Sequence, residues 1–307
     1  MTYLCVDGGQ TKTAVSLLDE EGKTIEFWSE GPLTTPSKPG AADNLRAVVR
    51  GACEELERRL ELSAGAYPEA ACFSLTGYHE GDELVPLLVK KGVQEAIPDL
   101  ERIHVIPDYV GNWAAATEGE PGIMVLSGGG AVAYGRNASG ASAKVGGWGH
   151  LLGDEGSGYW IGLEAIKVVF RARDGVVPKT QLEEELMVRF QVDCERDLLN
   201  KVYSGNIAEE QIAGLVPLVD SLARRGDEAA IRIMERAAAH LVELGVVMLE
   251  KLGKLPIYLS GGVWNAPAVA ENFKRLLAQS GHGVEVLRSK GEPWEGILLI
   301  AKGGILT

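Results

Sequence analysis

A chain of 307 residues with 46% hydrophobic and 24% charged residues has an ordinary globular composition, and its length suits two domains better than one core. The formal net charge of −13 argues against a nucleic-acid partner, whose phosphates are neutralised by Lys and Arg, but leaves room for a small anion held by backbone amides and a metal. The longest apolar runs are strand-length, so no membrane span is predicted; the opening Met1-Thr2-Tyr3-Leu4-Cys5-Val6-Asp7 meets an acid before a signal core could form, and a cytoplasmic protein is expected. Cys5, Cys53, Cys72 and Cys194 stand far apart with no CxxC or Cys/His grouping. Reduced thiols are therefore expected, and neither a zinc nor an iron–sulfur site is signalled.

In chain order, residues 3–7, 14–18 and 24–28 read as apolar strands joined by short turns. Residues 31–40 hold too much Pro and Gly to be regular. Leu45, Val48, Val49, Ala52, Leu56 and Leu60 then recur at helical spacing, and buried strands at 71–75 and 104–107 flank a second helix. The order β-β-β-α-β-α-β predicts an α/β domain, a mixed sheet with helices packed on it. A hinge is expected at 118–122. Beyond it a strand at 123–127, a glycine turn, a strand at 131–134 and a hairpin returning to Lys144 repeat the opening pattern. That echo suggests two duplicated α/β domains. Residues 164–251 read as mainly helical, 256–260 as a strand running into Gly261-Gly262, and 294–302 as a last helix. The expected domains are 1–118, with a C-terminal helix at about 291–307 packing back on it, and 119–290.

Five segments carry chemistry. In the first, Asp7 ends a strand and is followed by Gly8, Gly9, Gln10, Thr11, Lys12 and Thr13. Turn amides with the Thr11 and Thr13 hydroxyls would make a nest for phosphate oxygens, and Asp7 could hold Mg²⁺ directly or through water. The bland alternative is a plain β-hairpin with an Asp-Gly turn. In the second, Ser127-Gly128-Gly129-Gly130-Ala131 mirrors the first loop, or is a glycine turn with no ligand. Two better-known phosphate loops are excluded. Gly22-Lys23-Thr24 has Leu17 where a P-loop needs glycine, and the G-x-G-x-x-A of 128–133 opens a strand where a dinucleotide fingerprint must open a helix.

Third, Asp108 closes a buried strand and starts a helix, so it is either an N-cap or a general base that takes a hydroxyl proton as that oxygen attacks phosphorus. Fourth, residues 259–265 run from strand through Gly261-Gly262 into an expected helix, where free backbone suits a nucleotide's phosphate or ribose, or forms an ordinary βα turn. The fifth is the densest: residues 146–162 carry seven glycines and the pair Asp154-Glu155, with Ser157 placed to cap the amphipathic run that follows. That many glycines belong where backbone turns tightly or approaches something closely. The five histidines show no ligand spacing.

The ordered set DGGQTKT, PDYVGNWAAA, LSGGGA, GGWGHLLGDEGSGYWIG and LSGGVWN resembles the N-acetylglucosamine kinase group of the BadF/BadG-type ATPase family, within the actin/hexokinase/Hsp70-like superfamily. The likeness spans essentially the whole chain and is most specific from Gly146 to Gly162. It implies two ribonuclease-H-like domains, the second with a helical insertion, closing an interdomain cleft on Mg-ATP and a sugar. By position, Asp7 would serve the metal and Gly8 to Thr13 the phosphates. Asp108 would be the catalytic base, and Ser127 with Gly128–Gly130 the second phosphate loop. Gly261, Gly262 and Asn265 would lie along the adenosine.

Asp154 would take a sugar hydroxyl, with Gly147 and Trp148 close to the substrate. The sugar loop would bring Thr35, Ser37 and Lys38. Three positions depart from the pattern. Gln10 replaces a common third glycine. Gly129 and Ala131 stand where hydroxyl residues are frequent. Thr34-Thr35-Pro36-Ser37-Lys38 replaces the Thr-Asn-His-Trp of the animal enzymes, which leaves the sugar open.

The resemblance implies ATP-dependent phosphorylation of an amino sugar, N-acetylglucosamine at its 6-hydroxyl or a relative such as N-acetylmuramic acid or glucosamine, by a homodimer. Lys38 could pair with a substrate carboxylate, or be an exposed loop lysine. The alternatives are an ATPase that activates a partner enzyme, which would need cluster-holding cysteines, and a sugar sensor, which would need a further module.

Overall fold

The coordinates are a computed structural model, which describes residues 1–307 except Gln10, Thr35, Pro36, Ser37, Ala64, Glu80, Gly304, Leu306 and Thr307, with the backbone alone at Ser63. The chain divides into two compact units, Met1–Glu120 with Ser289–Thr307, and Pro121–Arg288.

In the first unit β1 (Thr2–Gly8), β2 (Thr13–Asp19) and β3 (Thr24–Glu30) form an antiparallel meander. β4 (Ala70–Leu75) adds to β1 in parallel, and β5 (Arg102–Pro107) to β4, giving the order β3-β2-β1-β4-β5. β1 and β4 are buried almost without alternation, because helices cover both faces of the sheet. On one face Leu4, Val6 and Phe73 meet Leu45, Val49 and Leu56 of α1 (Ala41–Ser63) and Val89 and Val93 of α2 (Leu84–Ala96). The other face takes α3 (Asp108–Thr117), which ends at Glu118 (φ +55) and Gly119 (φ +78).

The second unit repeats this plan. β6 (Gly122–Ser127), β7 (Ala131–Arg136) and β8 (Ser142–Gly146) form its antiparallel meander. α4 (Gly158–Arg173) follows, started by Ser157, whose hydroxyl accepts the Trp160 N–H. Then come α5 (Leu182–Phe190), α6 (Glu195–Tyr203), α7 (Glu209–Ala213), α8 (Val216–Arg224) and the long α9 (Glu228–Leu252). β9 (Ile257–Ser260) pairs in parallel with β6, and after α10 (Pro267–Gln279) a short β10 (Val286–Arg288) pairs with β9. The sheet order is β10-β9-β6-β7-β8. No strand was expected at 286–288; at three residues, two half-buried and one exposed, it carries no alternation to read.

α11 (Pro293–Ala301) belongs to the first unit, packing on α3, β1 and β4. The approach to α3 is close: a β-carbon on Gly296 would collide with the Gly111 carbonyl and the Ala115 nitrogen. Both sheets therefore share one topology, and the strand–glycine turn–strand echo in the sequence is its local signature. Among the described residues no helix is long and apolar enough to cross a membrane.

Candidate functional site

In the first unit three strand ends share one sheet edge. Asp7 is paired in register with Ser74, Gly8 with Leu75, and Leu75 with Pro107, the residue before Asp108. Carboxyl ends of parallel strands are where α/β sheets place ligands. Asp7 is half-buried, and its carboxyl is held above the usual carboxylate range first by burial and then by the negative charge of Asp108. Lys12 opposes both. Asp108 is the first residue of α3, not its N-cap; Pro107 holds that position and has no side chain to cap with. The Asp108 carboxylate accepts the Tyr109 N–H at 2.8 Å, and Asn112 donates to the Asp108 carbonyl at 2.9 Å. Those bonds fix the acid at the mouth of the sheet.

The segment after Asp7 is a hairpin, closed by Gly9 N–H on the Lys12 carbonyl at 3.0 Å. The hairpin does not exclude a ligand, but it reduces the donors. Thr13 is fully buried and gives its hydroxyl to the Gly31 carbonyl at 2.9 Å, so it braces β2 and does not face a phosphate. Thr11 and Lys12 are exposed, and Gln10 lies outside the described residues.

Of the expected sugar loop, Thr35 and Ser37 also lie outside the described residues, and Lys38 is exposed. The backbone before it is anchored from α1: Asn44 accepts the Thr34 N–H at 2.7 Å and donates to the Pro32 carbonyl at 3.1 Å. Sequence reasoning did not single out Asn44, which on the polar face of a helix gives no local signal. Thr76, whose N–H bonds the Gly8 carbonyl at 2.9 Å, was missed too, although a hydroxyl and Gly77 directly after a buried strand are a readable sign.

In the second unit the later motifs converge. The loop Gly128–Gly130 is closed by Gly128 N–H on the Gly130 carbonyl, and its Gly128 carbonyl accepts Gly158 N–H at 2.7 Å. Ser127 is buried and donates its hydroxyl to the Gly156 carbonyl at 3.0 Å, which leaves the loop its amides alone. Gly261 (φ +101) presses on the Ser127 carbonyl so closely that no β-carbon fits. Gly128, Gly129 and Gly262 differ. Their φ is ordinary and a β-carbon on any of them would meet nothing within 4 Å. The protein's own packing does not need glycine at these positions.

The expected helix after Gly261-Gly262 is a single 3-10 turn, Gly262–Asn265; α10 begins only at Pro267, the proline setting its first turn. Asn265 is exposed at the end of that turn. In the run 146–162, Gly147 donates to the Ala131 carbonyl at 2.8 Å, and Lys144 Nζ stands 4.5 Å from the ring centre of Trp148, which is 67% exposed. Asp154 adopts φ +62, a left-handed conformation uncommon for a residue with a side chain. Among the described residues its buried Oδ1 has no hydrogen-bond partner. Burial raises its carboxyl, against the pull of the Ala131 and Gly149 amides.

Among the described residues no group of three His, Cys, Asp or Glu could hold a metal. Mg²⁺ needs no such cage, since it is bound by one or two carboxylates together with substrate phosphates and water. Asp7, a half-buried carboxylate with a second acid beside it, fits that donor set.

The two duplicated mixed sheets of one topology, each with a glycine loop after a strand, are the α/β architecture of two-domain actin-like ATPases. The model of the BadF/BadG/BcrA/BcrD ATPase family matches residues 4–301, and the chain belongs to that family. It is 29% identical over 304 residues to an N-acetylmuramic acid/N-acetylglucosamine kinase of Clostridium acetobutylicum, covering 97% of each chain. To an N-acetyl-D-glucosamine kinase of Dictyostelium discoideum it is 28% identical over 317 residues, again 97% of each. Its fold matches a candidate N-acetylglucosamine kinase of Chromobacterium violaceum with a TM-score of 0.72 at 23% identity, covering 98% of each chain. It also matches a ROK family glucokinase of Streptomyces griseus, solved with glucose and AMPPNP, with a TM-score of 0.58 at 17% identity and the same coverage.

Proposed function

We propose that this protein is an ATP-dependent amino-sugar kinase, transferring the γ-phosphoryl group to a hydroxyl of N-acetylglucosamine, at O6, or of a relative such as N-acetylmuramic acid or glucosamine. The kinases it resembles along nearly its whole length support the class. The observation that carries the chemistry is the pair of acids at one sheet edge, Asp108 held by its helix and Asp7 within its field.

In this reading Asp108 accepts the hydroxyl proton as the sugar oxygen bonds to phosphorus and the bond to the ADP oxygen breaks. Asp7 holds Mg²⁺, which when bound offsets charge on the phosphate oxygens. Gly8, Gly9, Gln10, Thr11 and Lys12 line the phosphates from one glycine turn, and Gly128–Gly130 from the other. Gly261, Gly262 and Asn265 lie along the adenosine. Thr35, Ser37, Lys38, Gly147, Trp148 and Asp154 are assigned to the sugar. A cytoplasmic homodimer is part of the same proposal. A partner-activating ATPase with a shared cluster is not favoured: Cys5, Cys53 and Cys72 are buried, and exposed Cys194 has its Sγ 3.2 Å from Asp197 Oδ2.

The test is ADP release over glucosamine, N-acetylglucosamine, N-acetylmuramic acid, N-acetylmannosamine and glucose. Asp108→Asn is expected to lower kcat on the preferred sugar by roughly 10²–10⁴. Turnover near wild type in that variant would remove Asp108 as the base.

A further inference from the structure

The first unit contains an apolar pocket of about 120 Å³ that its own side chains leave unfilled. Leu33, Leu75, Tyr78, Val85 and Leu88 form its walls. The pocket adjoins the candidate reaction site through covalent neighbours and hydrogen bonds. Leu33 donates its N–H to the Gly9 carbonyl at 2.9 Å. Leu33 and Leu75 close over Gly8, where a β-carbon would stand 2.5 Å from Leu33 Cδ1 and 2.8 Å from Leu75 Cδ2. Gly8 follows Asp7, and Leu75 is paired with Pro107, which precedes Asp108. The pocket therefore lies beside the carboxyl ends of the strands that carry the two acids, on the α1/α2 face of the sheet.

The rim sets the chemistry of that group. The hydroxyls of Thr34 and Thr76 border the pocket and make no hydrogen bond among the described residues. Among the described residues Asp82 is the charged residue of the lining, and its Oδ1 is committed to the Leu84 and Val85 amides at the start of α2. Among the described residues no Lys or Arg lines the space. An apolar pocket with two neutral hydroxyls and a fixed negative charge favours an alkyl chain carrying an amide and disfavours a carboxylate. A dry apolar cavity of roughly 150 Å³ takes a benzene ring, so this one holds about three to five carbons, more than the methyl of an acetyl group.

We propose that this pocket is an acyl subsite, which accepts the alkyl chain of a neutral N-acyl group on the amino sugar and selects chains longer than acetyl. The proposal rests on the kinase reading above. Each methylene buried there is expected to lower KM about fourfold. The experiment is ADP release with glucosamine and its N-acetyl, N-propanoyl and N-butanoyl derivatives. Wild type should show KM falling at each step of the series.

Ala42→Leu, which projects into the pocket from the first turn of α1, should cut the N-butanoyl to glucosamine ratio of kcat/KM by tenfold or more. Leu88→Ala, which enlarges the pocket, should move the preference toward the N-pentanoyl derivative. If N-acetylglucosamine turns over but chain length leaves KM flat or raises it, or if both variants leave the ratio unchanged, the acyl subsite is wrong and the kinase reading stands. If none of these sugars releases ADP, the kinase reading falls and the subsite with it.

Discussion

Asp154 Oδ2 lies 2.7 Å from the point where a β-carbon on Gly130 would stand. The most specific stretch of the chain thus closes directly over the second glycine loop, and it does so through a side chain held at φ +62. A methyl group at 130 must displace either the loop or the carboxylate. Gly130→Ala is therefore expected to raise KM for ATP by roughly tenfold, about 1.4 kcal/mol, with the melting temperature little changed because the loop is exposed. An unaltered KM in steady-state kinetics would mean that this contact does not shape the nucleotide site.

Gly129 and Gly262 give the complementary case. Neither has a neighbour within 4 Å of a β-carbon, so alanine there leaves the folded protein undisturbed. If their bare backbone is kept for the nucleotide, Gly129→Ala and Gly262→Ala weaken ATP binding while melting at the wild-type temperature. Gly283, equally open and far from these loops in the sequence, serves as the control. Equal nucleotide affinity in all three variants by calorimetry would assign the first two glycines to chance.

Asp7 titrates above an ordinary aspartate because burial and the charge of Asp108 both disfavour its ionised form, while Lys12 favours it. If Asp7 holds the metal as proposed, it does so as the carboxylate, and activity is expected to fall as pH drops through the raised value. Lys12→Met removes the favourable charge and pushes Asp7 higher still. The acid limb of kcat/KM should move toward neutral pH in that variant, beyond any loss of phosphate contact. A pH profile that only scales down, with its limb unmoved, would contradict the coupling.

Asp227 is a structural acid, and its carboxyl is shifted in the opposite direction. It caps α9 by accepting the Ala229 and Ala230 amides, and it also takes the Gln181 N–H and the Thr180 hydroxyl. Burial would raise its carboxyl, but the Ala230 and Gln181 amides, the Thr180 hydroxyl and the Ala229 amide together outweigh it and the net shift is downward. A depressed carboxyl stabilises the fold above the ordinary aspartate range and loses that stabilisation as pH falls through the folded value. Asp227→Ala should cost roughly 2–3 kcal/mol at neutral pH, from the lost cap and the orphaned buried Thr180. Denaturant unfolding should show the gap narrowing in acid; a gap constant with pH would exclude the carboxylate as its source.

The elements that were legible in the sequence are those whose signal is local. The apolar runs of β1 and β4 and the helical spacing of α1 follow from burial patterns a few residues long, and glycine pairs mark the turns. So the α/β class, the repeated strand–turn–strand opening and the acids at strand ends could be read without coordinates. Nothing within the 3-10 turn at Gly262 distinguishes it in sequence from the start of a helix; Pro267, five residues on, sets where α10 begins.

What only the tertiary structure decided is which of those groups remain available. Thr13 and Ser127 look alike in the sequence, hydroxyls beside glycine turns. Each is instead bonded to a carbonyl, 18 and 29 residues away respectively, that no local pattern specifies. The seat of Asp154 on Gly130 and the pocket between Leu33 and Leu88 arise the same way, from segments brought together by the sheet. Burial is written along the chain as a period, but the partner of a buried polar atom is fixed only when distant segments pack.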